Sequence, residues 1–178
     1  MRIIGGKFKG RRIAIPTNFP SRPTTDFAKE GLFNILENQV DLTDLKILDL
    51  CTGTGNISLE FLSRGSGKVT AVDTHPNCLK FVVKNANSIG ITDHIVTVKS
   101  DLISYIKSTD QVFDIIFADP PFNYESYDKI VQLIFERNLL GSNGMLIIEH
   151  SKKRIFDTEQ KFTFHRNYGN VTFSFFKK

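Results

Sequence analysis

The sequence of 178 residues is poor in several features that often decide the class of a protein. Its two cysteines, Cys51 and Cys78, show no CxxC spacing. That usage argues against a disulfide framework and favours a cytoplasmic protein with reduced thiols. No stretch approaches the roughly 18 consecutive apolar residues of a membrane helix, and the basic N-terminus lacks the apolar core of a signal peptide. We therefore expect no membrane association and no leader.

Recognisable metal and phosphate signatures are missing as well. No GK[ST] motif occurs, which excludes a P-loop nucleotide site. Repeats and low-complexity tracts are absent, and the length suits one domain with a substantial core. We predict no metal site, because the four histidines lack the sequence spacing typical of metal ligands. They are His75, His94, His150 and His165.

Basic charge is concentrated at the N-terminus. Residues 1–30 hold seven Lys or Arg and two acids, whereas the rest of the chain holds sixteen bases and seventeen acids. The first thirty residues therefore carry a net charge of +5 and the rest −1, so the whole excess of +4 lies at the N-terminus. Clustered basic side chains suit a polyanion, because binding phosphates releases counterions. A solvated basic terminus is the alternative interpretation, and charge alone does not separate the two.

Strand-like and helix-like apolar patterns alternate from residue 46 onward, which predicts an α/β fold with a mostly parallel, doubly wound sheet. A first helix is expected to begin at Thr25 or Asp26 and to bury Phe27, Leu32 and Leu36. The N-terminus, around "GGKFKG", predicts a small β-hairpin or arm over residues 1–24. The chain end predicts an antiparallel hairpin at the sheet edge. Strands are expected at 47–50, 69–73, 95–98, 113–118 and 145–148.

Acidic residues lie at or just beyond the carboxyl ends of the first three of these strands. Asp49 precedes the loop "CTGTGN", Asp73 ends the second strand and Asp101 follows the third. Ligands of open α/β sheets bind beyond the carboxyl ends of the strands, so these carboxylates should share one site. Each has an ordinary alternative role: the glycines of the loop can form a tight turn, and the two later acids can cap helices.

Taken together, the acids and the glycine loop favour an adenosine ligand without a phosphate tail. A carboxylate after the second strand commonly accepts hydrogen bonds from ribose hydroxyls. Three carboxylates would repel a pyrophosphate. The sequence therefore predicts S-adenosylmethionine rather than NAD or ATP as the cofactor.

The fourth strand ends in Asp119-Pro120-Pro121-Phe122. Prolines fix the backbone and donate no hydrogen bonds, so the Asp119 carboxylate and the Pro120 carbonyl are left as rigid acceptors. Two acceptors beside an aromatic ring can hold a planar group that bears an NH2, with the ring stacked on the base. Acceptors placed there also stabilise positive charge that develops on the nitrogen during methyl transfer. A proline turn with Phe122 in the core is the alternative.

The motifs, taken with the N-terminal half, resemble a known family. "DPPF" and "LDLCTGTGN" are similar to class I methyltransferases that modify exocyclic amines. "RIIGGKFKGRRI", "RPTTDFAKEGLFNIL" and "LSRG" resemble the RsmD family, bacterial methyltransferases of guanine N2 in small-subunit (16S) rRNA. The resemblance spans nearly the whole chain. It departs from the family in having Asp73 where Glu is more common and Phe122 where Tyr is more common.

The resemblance implies a Rossmann-like methyltransferase domain at 25–178, an RNA-contacting arm at 1–24, and an assembling small ribosomal subunit as the partner. We expect a monomer, because no exposed apolar stripe stands out in the sequence. It implies three sets of site residues: Asp49, Thr52, Gly53, Gly55, Asp73 and Asp101 for the cofactor; Asp119, Pro120 and Phe122 for catalysis; and Arg2, Lys7, Arg11, Arg12 and Arg22 for rRNA phosphates.

Three other functions remain open at this point. An adenine-N6 DNA methyltransferase would share DPPF, but no inserted segment that could read DNA is evident. A protein glutamine-N5 methyltransferase would normally have Asn in place of Asp119. An RNA-binding or assembly protein could have kept the fold without the activity, although the intact acids argue against that.

Overall fold

The computed structural model describes residues 1–156, 159 and 161–178. Five helices and seven strands alternate along most of this part of the chain. In chain order they are α1 (Asp26–Glu37), β1 (Lys46–Leu50), α2 (Asn56–Ser63), β2 (Lys68–Asp73), α3 (Pro76–Ser88), β3 (Ile95–Lys99), α4 (Leu102–Ser108), β4 (Phe113–Ala118), α5 (Tyr127–Glu136), β5 (Leu140–Ser151), β6 (Phe162–Tyr168) and β7 (Val171–Lys177).

The seven strands form one sheet in the order β3-β2-β1-β4-β5-β7-β6. Neighbouring strands from β3 to β5 are parallel, and β7 pairs antiparallel with both β5 and β6. This is the predicted Rossmann-like, doubly wound sheet with a terminal hairpin at its edge. The strand order reverses between β1 and β4, where such sheets open a crevice for ligands.

Successive side chains of the strands point alternately to the two faces of the sheet, and each face forms a buried apolar layer. Ile47 and Phe117 face the layer that includes α1, α2 and the N-terminal segment, whereas Leu48 and Ile116 face the layer of α4 and α5. Adjacent residues of a strand point to opposite faces, so both layers draw on the same strands. Helix cover on both faces explains why the strands read as continuous apolar runs.

Two sequence-based predictions need correction. Helix α1 is capped by Thr25 as expected, but Phe27 is 68% exposed and its buried face includes Lys29 instead. The apolar stripe runs through Leu32, Phe33 and Leu36 and is centred about half a turn away from Phe27. Strand β5 extends well beyond the predicted 145–148, because the antiparallel partner β7 pairs along it as far as residue 151.

The N-terminal segment folds back on itself and packs on the core. Residues Arg2 and Arg12 form one antiparallel bridge, so the expected hairpin is reduced to a short pairing. Ile3 and Ile13 are buried in the layer that contains α1 and α2. In the described part of the chain, no helix is long and apolar enough to cross a membrane.

Candidate active site

A cavity of about 750 Å³ opens at the carboxyl ends of the strands, beside the reversal in strand order. Its walls come from residues after β1, β2, β3 and β4, from the end of β5, and from the segment before α1. Most of the predicted cofactor and catalytic residues therefore meet at one place. The predicted residues that line it are Arg22, Asp49, Thr52, Gly53, Asp73, Asp101, Asp119, Pro120 and Phe122.

The loop after β1 turns sharply by left-handed backbone conformations. Cys51, Gly53 and Gly55 have positive φ angles of 64°, 52° and 71°. Gly55 lies outside the cavity lining, and a Cβ there would come within 2.7 Å of the Val82 side chain on α3. The lack of a side chain at Gly55 thus permits close packing of the loop against α3, whereas Gly53 faces the cavity.

Asp73 holds this loop in place from the end of β2. Its Oδ2 accepts a hydrogen bond from the Gly53 N–H at 2.9 Å, and its Oδ1 accepts one from the His75 N–H at 2.8 Å. His75, rather than Asp73 or Thr74, is the N-cap residue of α3. Each carboxylate oxygen retains a lone pair that can accept from a hydroxyl in the cavity.

Asp49 is buried at the base of the cavity. One carboxylate oxygen accepts hydrogen bonds from the hydroxyls of Thr52 at 2.7 Å and Ser58 at 2.5 Å. Burial raises the pKa of Asp49 to about 6, and the two hydroxyls oppose that rise. Asp49 therefore fixes the glycine loop as well as lining the cavity.

Asp101 lies at the exposed rim and caps α4. Its Oδ1 accepts a hydrogen bond from the Ser104 N–H at 2.9 Å. Hydrogen bonds from Ser104 lower the pKa of Asp101, so the carboxylate is charged at neutral pH. An ionised acceptor at the rim suits a ligand group that donates hydrogen bonds.

The segment after β4 has the acceptors that the sequence predicts. Pro121 O accepts from the Tyr124 N–H at 2.7 Å and from the Tyr127 hydroxyl at 3.4 Å, which closes the turn. Among the described residues, none donates a hydrogen bond to Pro120 O or to the Asp119 carboxylate. The Phe122 ring is 51% exposed at the cavity wall and is not a core residue.

Sequence reasoning missed Glu149, which lies beside Asp119. Ala118 of β4 pairs with Ile148 of β5, so the two acids follow on adjacent strands. Burial raises the pKa of Glu149 to about 7, although the Thr24 hydroxyl donates to its Oε2 at 2.8 Å. Burial, followed by the charges of Glu149 and Asp49, also raises the pKa of Asp119. A lone acid in the apolar run "MLIIEH" was the available signal.

Comparisons with known proteins place the chain in a family. A family model described as conserved hypothetical protein 95 matches residues 1–177. Ribosomal RNA small subunit methyltransferase D from Buchnera aphidicola subsp. Baizongia pistaciae is 30% identical over 149 residues, covering 84% of this chain and 75% of the relative. The protein of the same name from Escherichia coli K12 is also 30% identical, covering 84% and 74%. The chain belongs to the RsmD family of methyltransferases.

A solved structure extends this likeness to the fold of the RsmD family. The putative methyltransferase yhhF from Escherichia coli superposes with a TM-score of 0.85 at 25% identity, covering 100% of this chain and 97% of that chain. The resemblance and the Rossmann-like fold predicted from the motifs are thereby confirmed. The roles of the individual site residues stay predictions.

All five side chains predicted to bind rRNA are exposed, and Arg22 also lines the cavity. Arg2 forms an ion pair with Asp26 at 3.1 Å, and Arg11 donates to Ser88 O at 3.4 Å. Lys7 lies over the Phe8 ring, 5.5 Å from its centroid. Arg2 and Arg12 stand opposite each other in the antiparallel bridge, so both side chains leave the same face of this short pairing.

Among the described residues, no basic side chain lowers the pKa values of the inner carboxylates of this RsmD-family site, although Arg22 also lines the cavity. Asp49, Asp119 and Glu149 line the inner part of the cavity. After burial, the charge of Asp49 raises the pKa values of Asp119 and Glu149, and the charge of Glu149 raises the pKa of Asp119. Such a site favours a ligand that is cationic or rich in hydrogen-bond donors, because either would relieve the repulsion.

Proposed function

We propose that this RsmD-family enzyme transfers the methyl group of S-adenosylmethionine to the exocyclic N2 amine of a guanine in small-subunit (16S) ribosomal RNA. The observation that carries the proposal is the pair of free acceptors, Asp119 carboxylate and Pro120 carbonyl, beside the exposed Phe122 ring. Relatives at 30% identity are named for methylation of small-subunit rRNA, which supports the same substrate class.

The residues that line the cavity fit S-adenosylmethionine. Gly53 has a positive φ angle of 52°, and a Cβ there would lie 2.6 Å from the Ser21 hydroxyl, so this turn at the cavity wall requires glycine. Asp73 and Asp101 supply acceptors for ribose hydroxyls and the adenine amine. The uncompensated acids oppose a phosphate and favour a positive sulfonium. Bound there, S-adenosylmethionine would supply an electrophilic methyl group on a positively charged sulfur.

Asp119 and Pro120 would act on the amine that attacks this methyl group. Accepting both amine hydrogens orients the nitrogen lone pair and weakens its delocalisation into the ring. The nitrogen becomes positive as the N–C bond forms and the S–C bond breaks with its electron pair going to sulfur. The Asp119 carboxylate stabilises that charge and then accepts the proton released from nitrogen. Stacking on Phe122 would hold the base in line.

The basic N-terminal segment would hold rRNA phosphates while the target base enters the cavity. A base has to be unstacked to reach such a pocket, and that is easiest in a loop. Arg22 lies both in the basic segment and at the cavity, which links the two contacts. We further propose that the enzyme acts in the cytoplasm as a monomer on an assembling small subunit.

The test is methyl transfer from labelled S-adenosylmethionine to small subunits that lack this modification, with naked rRNA and DNA alongside. The digested nucleosides are analysed by mass. The proposal expects N2-methylguanosine in the rRNA of the subunit, and loss of that product with Asp119→Ala.

Other products would identify a different function. Label in DNA adenine would indicate an adenine-N6 DNA methyltransferase, whose substrate shares the exocyclic amine. Cofactor binding by calorimetry without label in any nucleic acid would indicate an inactive assembly protein. Either result would overturn the proposal.

A further inference from the structure

We infer that Glu149 is a specificity-determining residue, whose carboxylate accepts the N1–H of the target guanine next to the amine held by Asp119. This inference rests on the proposed guanine-N2 activity and adds the group that would distinguish guanine from other bases. Nothing in the predicted catalytic set performs that task, because an amine receptor alone also accepts adenine or cytosine.

The placement of Glu149 is the first argument. Strands β4 and β5 are neighbours, and the register pairs Ala118 with Ile148. Asp119 and Glu149 are the next residues along each strand, and both line the cavity. Neighbouring strands lie about 5 Å apart, so two carboxylates at the same level can contact adjacent atoms of one planar ligand.

The chemistry of guanine is the second argument. Its Watson–Crick edge carries the N1–H beside the N2 amine, so donors lie next to each other and match adjacent acceptors. Adenine presents an N1 lone pair beside its amine, and that lone pair would face a carboxylate. A site built to pair with a donor rejects strongly an analogue that lacks it, since a buried polar group is then left unpaired.

The hydrogen bonding of Glu149 is the third argument. Its Oε2 is occupied by the Thr24 hydroxyl at 2.8 Å, which orients the side chain. Among the residues that the structure describes, none donates to Oε1. Glu149 lines the cavity although the residue is only 3% exposed, so Oε1 is left free for a donor that enters the cavity. A ligand N–H can therefore bind this oxygen without displacing a protein partner.

Thr24 is in turn held by the rest of the fold. Its carbonyl accepts a hydrogen bond from the Asn56 side chain at 2.8 Å, and Asn56 accepts one from Lys29 at 2.7 Å. The orientation of Glu149 is thus fixed through buried groups on the segment before α1, on α1 and on α2. Preorganised acceptors discriminate well because little reorganisation is needed on binding.

The experiment uses 2-aminopurine, which keeps the 2-amine but has an N1 lone pair in place of N1–H. Small subunits are reconstituted with rRNA that carries either guanine or 2-aminopurine at the nucleotide identified by mass analysis. Single-turnover rates are then measured for the wild type and for Glu149→Gln, whose amide can donate to an N1 lone pair. Glu125→Gln is the matched control, because Glu125 is exposed and lies outside the cavity lining.

We expect the guanine-to-2-aminopurine rate ratio to fall by about tenfold to a hundredfold in Glu149→Gln, as for loss of a paired base contact. Glu125→Gln should keep the wild-type ratio. An unchanged ratio in a folded Glu149→Gln protein, with both rates lowered equally, would overturn the inference and leave a structural role. If Glu149→Gln does not fold, Glu149→Ala serves, and it should lower the ratio by slowing methylation of guanine.

The wild-type arm with guanine separates this inference from the proposed function. If it gives no N2-methylguanosine, the proposed function has failed and the inference fails with it. If it gives N2-methylguanosine but 2-aminopurine reacts equally well, the activity stands and the role of Glu149 is wrong.

Discussion

Two buried clusters of ionisable side chains differ in how their charges are compensated. Beneath the N-terminal segment, Lys29 and Glu60 have fully buried side chains and form an ion pair with an Nζ–Oε2 distance of 3.1 Å. At the cavity, the half-buried Asp119 lies beside the buried Glu149. The charge of Glu149 raises the pKa of Asp119, and no basic side chain in the described part of the chain opposes that rise.

The compensated cluster satisfies nearly every polar group it contains. Lys29 also donates to Arg2 O and to the Asn56 side chain, each at 2.7 Å. Glu60 accepts from the N–H groups of Ile4 and Gly5 at 2.9 and 2.7 Å. These bonds attach the N-terminal segment to α1 and α2, so the cluster organises the fold.

In the acid cluster, the Asp119 carboxylate and Glu149 Oε1 accept no hydrogen bond from the described residues. The cluster therefore destabilises the protein when no ligand is bound. Burial of an uncompensated carboxylate is unfavourable, and a second carboxylate adds repulsion. Strongly perturbed acids in a cleft are typical of functional sites. The comparison thus separates a cluster that stabilises the fold from one that is held ready for a ligand.

The largest expected effect comes from breaking the compensated cluster with Lys29→Met. Removal of one partner leaves Glu60 buried with less compensation, which should lower the free energy of unfolding by about 3–5 kcal/mol. Urea unfolding followed by circular dichroism measures this loss. Lys68→Met is the control, because Lys68 is exposed at the start of β2. A loss below about 1 kcal/mol would show that the buried pair is not needed for stability.

Breaking the acid cluster with Asp119→Ala should reduce activity without reducing stability, unlike the change in the compensated cluster. Loss of the acceptor for the reacting amine should lower kcat about 100- to 1000-fold. The free energy of unfolding should stay the same or rise, because a repulsive buried charge is removed. Rates at saturating S-adenosylmethionine and urea unfolding measure the two quantities. Asp93→Ala, at an exposed acid away from the cavity, should change neither. A parallel loss of stability would place Asp119 with the structural residues.

The two clusters also differ in how far the sequence predicted them. Asp119 was predictable because it ends an apolar strand and precedes two prolines, which is information local to the chain. Glu149 also follows an apolar run, but its importance depends on β5 lying next to β4, and strand order is a tertiary property. The glycine loop and its acids were likewise local, and the structure brings them to one cavity.

Lys29 was beyond prediction for a related reason. Helical periodicity favoured an apolar face through Phe27, whereas the structure buries a lysine because Glu60 on α2 can pair with it. Partners so far apart in sequence leave no periodic signal. The N-terminal segment was recognised as basic and hairpin-like, but its attachment to Glu60 through backbone N–H groups could not be read from side-chain pattern.

A smaller effect should appear in the pH dependence of stability with Glu149→Gln. The pKa of Glu149 is raised from its ordinary 4.5 to about 7 in the folded protein. The folded state therefore retains a proton that the unfolded state loses, and this carboxyl lowers stability as pH rises from about 4.5 to 7. Gln lacks that penalty, so the variant should be more stable than the wild type by about 1–3 kcal/mol at pH 8.

The same comparison at pH 4 is its control. Glu149 is protonated in both states there, so the variant and the wild type should have similar free energies of unfolding by urea titration. A difference of equal size at both pH values would mean that packing or the Thr24 hydrogen bond, rather than the charge of Glu149, separates the two proteins.

The smallest effects should come from substitution of exposed basic residues in the N-terminal segment. Arg12→Ala should weaken binding to small-subunit rRNA and reduce the slope of log affinity against log salt by about 1, because one phosphate contact is lost. Arg2→Ala should have less effect, since Arg2 is partly neutralised by Asp26 at 3.1 Å. Filter binding at several salt concentrations measures both slopes.

Lys68→Ala is the matched control for this pair, because Lys68 is exposed at the amino end of β2, away from the cavity. An equal change in slope for Lys68→Ala would mean that net charge, and not the N-terminal segment, attracts the RNA. A slope that changes only for the arginine variants would mean that the N-terminal segment, whose backbone Lys29 and Glu60 hold in place, contacts the RNA phosphates.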